Sequence, residues 1–335
     1  MIGSERRWPA EWEPHRATWL AWPHNESTWP GVWDRIAERY AYFVRTLRSF
    51  EPVHLVVPSR SAVGELAERG DLDGPHPLEV HEIATNDAWI RDWGPIVVEE
   101  RGERIALDFR FNAWGGKYPP WDADEAAGSE VARLMGARVE RVERVLEGGS
   151  IDGDGEGTIL TTESCLLAPT RPPVLEKREM EDLLSRTLGA RRVLWLGDGI
   201  AGDDTDGHID DITRFVAPGV VVTAVEPDPR DPNHEPLEEN RARLETLTDA
   251  RGRRLRVIPI PMPAPVVSPS GDRLPASYVN FLIVNGGVLV PTFDDSKDTE
   301  ALEALAKVFP GRRVAPVPCR ELVVGLGGVH CLSMQ

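Results

Sequence analysis

A chain of 335 residues with 41% hydrophobic content can bury a sizeable core, and its formal net charge of −17 repels the phosphates of nucleic acid and anionic membrane surfaces. No stretch approaches the roughly 18 apolar residues of a membrane span, and the start MIGSERRWPAEWEP has no apolar signal core. Three cysteines, Cys165, Cys319 and Cys331, lack CxxC spacing, so neither a disulfide framework nor a zinc site is expected and the thiols are those of a free, cytoplasmic chain.

The same order of elements returns five times along the chain. The first copy is RATWLAWP, then the amphipathic GVWDRIAERYAYFVRTLRSF, then VHLVVP. The second is GPIVVEERGERIALDFRF, DEAAGSEVARLMGA and RVERVL. In the third, TILTTESCLLAP reads as a strand pair or long strand, EKREMEDLLSRTLG carries Met180, Leu183, Leu184 and Leu188 at helical spacing, and RRVLWLG closes as a strand. TRFVAPGVVVTAV, PLEENRARLETLTDARG and RRLRVIPIP make the fourth. The fifth has two apolar runs joined by Asn285-Gly286, the dipeptide tight hairpins prefer, then DTEALEALAKVFPG with Asp298 as its cap, then RRVAPVP.

Five hairpin–helix–strand units without a long linker imply an α/β closed ring, helices outside and strands lining an axis, spanning residues 1–335. A two-domain α/β protein is the alternative. In a ring, polar residues at equivalent module starts converge at one end of the axis. These are Asp92 in NDAWIRDWGP, Glu147 in LEGGS, His208 and Asp210 in DGHIDD, and Cys331 in GLGGVHCLSMQ.

Three motifs in the same region have plainer explanations. IDGDGEGTILTTE has calcium-loop spacing, but strand-like segments flank it where an EF-hand needs helices, so it reads as a hairpin turn. GDGIAG spells a dinucleotide fingerprint, yet the acidic run DDTDGHIDD follows it instead of a helix opening. His208-x-Asp210 lacks the partners of a metal set, and neither a metal nor another cofactor is expected.

A thiol and an imidazole together make a nucleophile and a proton shuttle. Carboxylates at Asp92, Glu147 and Asp210 would raise the thiol's pKa unless a cation sits beside it. A guanidinium is such a cation: planar, permanently charged, and gripped bidentately by carboxylates. The expected chemistry is attack of Cys331 on the guanidinium carbon, protonation of the departing nitrogen by His208, loss of ammonia, and hydrolysis of an S-alkyl thiouronium. Trp89, Trp93 and Trp114 are placed over the substrate's face or stem. Asp204 and Asp206 are placed at its far end if that end is a second cation, whereas a substrate carboxylate would call for Arg171 or Arg91. Cys165 and Cys319 are read as packing thiols. Asp211 is read as a solvated or capping carboxylate, and His330 as facing away from the thiol if its segment is extended.

PAEWEPHRATWLAWPHN, DAWIRDWGP, AWGGKY, LEGGSIDGDGEGTILTTESCLL, DTDGHIDD, PASYVNFLIVNGGVLVPTF and GGVHCL together resemble the agmatine deiminase family, related to bacterial-type peptidylarginine deiminases in the guanidino-group-modifying superfamily. The resemblance spans nearly the whole chain. It implies a five-bladed, pseudo-five-fold propeller (pentein) of ββαβ blades in a single domain, ammonia release from agmatine to give N-carbamoylputrescine, and a homodimer. It also implies Cys331 as nucleophile, His208 as acid–base, Asp92 and Asp210 as guanidinium ligands, and Glu147 as a further active-site carboxylate. The tail GVHCLSMQ departs from the family's usual His-Cys-Ile-Thr-Gln ending, and TRPP at 170–173 replaces an NRNP-like segment. Two other activities would use the same carboxylates: deimination of arginine or peptidyl-arginine, and non-catalytic binding of a guanidine or polyamine.

Overall fold

The computed structural model describes residues 6–335. Its strands form five separate small sheets. The last three share one plan, in which a first strand pairs antiparallel with a second and the second runs parallel to a third. The strands are Ile151–Gly153, Thr158–Thr162 and Arg192–Leu196; Thr213–Ala217, Val220–Val225 and Arg256–Pro261; and Leu282–Val284, Gly287–Thr292 and Arg313–Pro318. Parallel neighbours need a long crossover. Here it is a helix each time: Lys177–Leu188, His234–Thr246 and Asp298–Val308.

The other two sheets carry the same plan with an added strand. Ile96–Glu100, Glu103–Arg110 and Arg138–Val145, with helix Asp122–Leu134 between the parallel pair, gain Arg6–Arg7 at the edge. In the first sheet Thr18–Ala21 and Val53–Val57 flank helix Trp33–Leu47, and Leu78–Glu82 extends the parallel set. The antiparallel strand of this sheet comes from Ser333–Met334, with Ser333 opposite Leu20 and Met334 opposite Trp19. That pairing brings the residues next to Cys331 into the sheet that begins the chain.

Apolar periodicity explains why the helices lie where they do. Trp33–Leu47 buries Ile36, Tyr40, Phe43, Val44 and Leu47, a stripe at three- and four-residue spacing. It packs on the Arg313–Pro318 strand of the last sheet, as Asp298–Val308 packs on Arg256–Pro261 and His234–Thr246 on Arg192–Leu196. Each of these helices therefore closes against the preceding sheet. The buried side chains form one continuous apolar cluster, and among the described residues no helix is long and apolar enough to cross a membrane.

Two local expectations need correction. The third hairpin does not lie within TILTTESCLLAP. Its first strand is Ile151–Gly153, upstream of the Asp154–Gly157 turn, and ESCL forms a helical turn at Glu163–Leu166 where the Thr162 hydroxyl accepts from the Cys165 N–H. Asp298 is the first residue of its helix rather than the cap. Its carboxylate instead accepts from the Phe293 and Asp295 N–H groups at 3.1 and 3.2 Å and from the Tyr278 hydroxyl at 2.7 Å.

Candidate active site

Short turns from several modules meet at one cleft of about 870 Å³, lined among others by Trp89, Asp92, Trp114, His208, Asp211 and Cys331. Ile90–Trp93 is a single helical turn. Trp89 and Asp92, three residues apart, share its cleft side. Trp93 turns roughly a further 100°, is buried, and does not line the cleft. Ile209–Asp211 is a 3₁₀ turn, and in that geometry residues three apart eclipse. His208 and Asp211 therefore face the cleft together. Asp211 is 2% exposed, so the reading of it as a solvated carboxylate is wrong: it assumed strand alternation in a segment that is helical.

Asp92 accepts from the Trp114 indole N–H and from the Gly149 N–H, both at 3.0 Å. Its Oδ1 lies 3.8 Å from His208 Nδ1. Holding Trp114 there costs backbone strain, since Trp114 sits at φ 54, left-handed space that bulky residues avoid. Gly149 is required by crowding: a Cβ there would stand 2.6 Å from His208 Nδ1 and 2.9 Å from Asp92 Oδ1. Gly327 has the same role beside the thiol, where a Cβ would meet Trp89 at 2.4 Å and the Cys331 Cβ at 3.0 Å.

Cys331 lies in a turn rather than a frayed tail and is 6% exposed. Its sulfur receives the Asn280 amide at 3.0 Å and is 3.6 Å from Asp210 Oδ2. Asn280 also donates to Asp211 Oδ1 at 2.9 Å and accepts the His330 N–H at 3.0 Å. Sequence reasoning missed Asn280, although it is a polar residue at a fifth-module start, the pattern that singled out the other five. The same turn places His330 on the far side, its Nδ1 2.6 Å from Asp210 Oδ2 and its Nε2 2.8 Å from Glu11 Oε2. Among the described residues no hydrogen bond links Cys331 to His208, so the two groups line one space without touching.

The electrostatics follow from burial and crowding of like charge. Burial, reinforced by Asp210, Asp211 and Asp92, pushes the Cys331 thiol well above its ordinary value. Asp92 is pushed up to about 6 by burial, with Asp210 and Glu147 adding to the shift and His208 opposing it. Burial works to lower His208, but Asp92, Cys165 and Asp210 outweigh it and hold the imidazole well above its usual range. Asp211 is raised strongly by burial and by Asp210. Asp210 is lowered despite burial, because His330 hydrogen-bonds to it and His208 and Arg214 are near. Two orphans remain in this buried site, His208 Nε2 and Asp210 Oδ1.

The other expected residues divide. Asp204 lines the cleft, hydrogen-bonded by Tyr118, and burial raises its carboxyl. Asp206 does not line the cleft: it is occupied by Lys117 at 2.8 Å and Arg171 at 2.7 Å. Glu147 is fully buried off the cleft, gripped by Arg171 Nε at 2.9 and 3.0 Å. Glu147 and the Cys165 thiol stand behind His208, one ligand atom of each within 4.8 Å of the others. Neither Arg171 nor Arg91 is available for a substrate carboxylate. Arg171 is wholly buried on Glu147 and Asp206, and Arg91 holds the chain end through the His330 carbonyl and Gln335 Oε1 at 3.2 and 2.8 Å.

The sequence of residues 7–335 matches the model of the Porphyromonas-type peptidyl-arginine deiminase family. Agmatine deiminase of Ectopseudomonas mendocina is 41% identical, the match covering 98% of this chain and 94% of that one. The structure of agmatine deiminase of Enterococcus faecalis catalyzing its reaction is 35% identical with a TM-score of 0.92, covering 100% of this chain and 98% of that one. A cysteine-to-serine variant of C. jejuni agmatine deiminase with substrate bound is 31% identical with a TM-score of 0.90, covering 98% and 95%. A family model that spans the module turns and the thiol alike leaves one assignment: the chain belongs to the Porphyromonas-type peptidyl-arginine deiminase family.

Proposed function

We propose that this chain is a cysteine hydrolase that converts agmatine to N-carbamoylputrescine and ammonia. The observation that carries the reading is the charge of the cleft: Asp87, Asp92, Asp124, Asp204, Asp211 and Asp272 line it against Lys117, Arg273 and the His208 imidazolium. All three cations are spoken for, Lys117 by Asp206, Arg273 by Asp231 at 3.1 Å and His208 by Asp92 at 3.8 Å. Such a cleft favours a substrate positive at both ends over free arginine.

A guanidinium between Asp92 and the Asp210–Asp211 pair supplies the missing cation and lowers the thiol's pKa, so binding itself drives the thiol proton to solvent and leaves the thiolate. The sulfur attacks the guanidinium carbon. The His208 imidazolium protonates a nitrogen of the tetrahedral adduct, the C–N bond breaks, and ammonia leaves. The now neutral imidazole takes a proton from water, whose oxygen attacks the thiouronium carbon. Collapse of that adduct breaks the C–S bond and returns the thiolate, the imidazolium and, after loss of one proton to solvent, the ureido product. Asp92, Asp210 and Asp211 orient the nitrogens and stabilise their charge, Trp89 and Trp114 cover the plane, and Asp204 faces the distal ammonium. Glu147 acts through His208 rather than on substrate.

The architecture we propose is a five-bladed propeller, one domain over residues 1–335, supported by five sheets of one plan and by the pairing of residues 333–334 with 19–20. A cytoplasmic homodimer with no nucleic-acid or membrane partner accords with the charge and composition. The test is an assay of ammonia and ureido product with agmatine, arginine and an arginine-containing peptide. Agmatine turnover that vanishes in Cys331→Ala supports the reading. Preference for arginine or the peptide, or turnover that survives in Cys331→Ala, overturns it.

A further inference from the structure

The first sheet carries a second group of ligating side chains that the proposed reaction does not use. His54 and Glu79 are register partners on the parallel strands Val53–Val57 and Leu78–Glu82. His81 follows Glu79 by two positions, so all three side chains leave one face of the sheet. His54 Nδ1 is 2.8 Å from His81 Nε2 and 3.7 Å from Glu79 Oε2, and one ligand atom from each residue lies within 4.8 Å of the others. Trp19, on the adjoining strand, stacks on both imidazoles, on His54 at 4.3 Å and 10° and on His81 at 5.0 Å and 23°. Three strands thereby fix the planes of two rings whose nitrogens meet.

An imidazole nitrogen that carries no proton has a lone pair to give a metal. A direct imidazole–imidazole hydrogen bond uses one such lone pair and leaves Glu79 idle, its side chain 63% exposed.

We propose that His54, His81 and Glu79 form a surface site for a divalent first-row transition-metal ion such as Zn²⁺, Ni²⁺ or Cu²⁺. With metal–nitrogen and metal–oxygen distances of about 2.0–2.2 Å, tetrahedral ligands stand roughly 3.3 Å apart. The observed separations of 2.8 and 3.7 Å bracket that spacing, and the exposed Glu79 side chain is free to close on the ion. Two imidazoles select such an ion over Ca²⁺ or Mg²⁺, which prefer all-oxygen shells. His54 and Trp19 also border a second cleft of about 670 Å³, so positions left open on the metal would face water there. The ion would tie Val53–Val57 to Leu78–Glu82, two strands away from Ser333–Met334.

The test is equilibrium dialysis of Zn²⁺, and in parallel Ni²⁺, into the chelator-washed full chain, with Cu²⁺ quenching of tryptophan fluorescence as a second readout. Cys331→Ala is measured in parallel, so that a metal held by the cleft thiol is not counted. We expect one equivalent of Zn²⁺ bound in both proteins and a rise in melting midpoint on binding. His81→Asn, Glu79→Gln and His54→Ala should each weaken binding at least tenfold, since loss of even a second-shell partner costs about 10- to 100-fold. The Cu²⁺ quench should diminish with His81→Asn. Absence of binding for all three ions, or binding retained when His54 and His81 are both replaced, overturns the proposal. Neither result depends on whether agmatine is turned over.

Discussion

Cys331 and His330 are neighbours in sequence that look into different clefts, and both clefts are rich in acid. On the His330 side the acids are compensated. Glu11 meets Arg214 at 2.8 Å and His330 at 2.8 Å, receives Gln335 at 3.1 Å and the Ile283 N–H at 2.7 Å, and Asp152 is bound by the same Arg214. The arginine and imidazole, with burial opposing them, hold Glu11 well below the carboxylate range. On the Cys331 side, among the described residues, no arginine or lysine forms an ion pair with Asp92 or Asp211, and both are raised by burial. One region is a finished ionic scaffold. The other is a charge deficit that a flat cation completes.

Replacing the thiol should break the contrast most sharply. Cys331→Ala is expected to lower turnover at least about 10⁴-fold, as loss of a covalent nucleophile does, while agmatine still binds by calorimetry. On the compensated side, Arg214→Met should unfold the protein rather than inactivate it, lowering stability by about 3–5 kcal/mol in denaturant titration because Glu11 and Asp152 lose their shared cation. Asp211→Asn tests whether that acid grips substrate. It should cut kcat/KM by about 10²–10³-fold with little change in melting temperature.

Smaller effects distinguish the roles of Asp92 and Asp210. Asp92 must be ionised to hold a guanidinium and is pushed up to about 6 by burial, so kcat/KM should rise with pH through that value and fall below it. At higher pH the His208 imidazolium, held above its usual range, loses its proton and closes the profile on the alkaline side. His330→Ala removes a hydrogen bond that keeps Asp210 low. Its carboxyl then rises, and the acid limb should move to higher pH with a loss of about tenfold near neutrality. An unshifted limb would mean that His330 serves the scaffold alone.

Much of this was legible in the sequence because the modules repeat and their polar exceptions stand at matching positions. Asp92, His208 and Cys331 were found that way, and all three line one cleft. Residues whose placement depends on short helical turns were not. Periodicity over three or four residues cannot separate a strand from a 3₁₀ turn, so the sequence alone reads Asp211 as a solvated or capping carboxylate and sets Trp93 over the substrate's face or stem. Pairings across large sequence distances were also silent. Nothing local reveals that Glu147 answers to Arg171, that Glu11 meets His330, or that His54 and His81 touch. The third hairpin was misplaced because ESCLL is apolar enough for a strand, yet the Thr162 hydroxyl caps it as a helical turn.

The pairing of Met334 with Trp19 joins segments more than 300 residues apart, and contacts of such separation form late because loop closure precedes them. The sheets and helices of single modules are local and can form earlier. On refolding from denaturant, helical signal should therefore return before any catalytic competence does, and an intermediate should hold most of its architecture with its sulfur unplaced. In this molecule activity would serve as the clock that marks the final step of assembly.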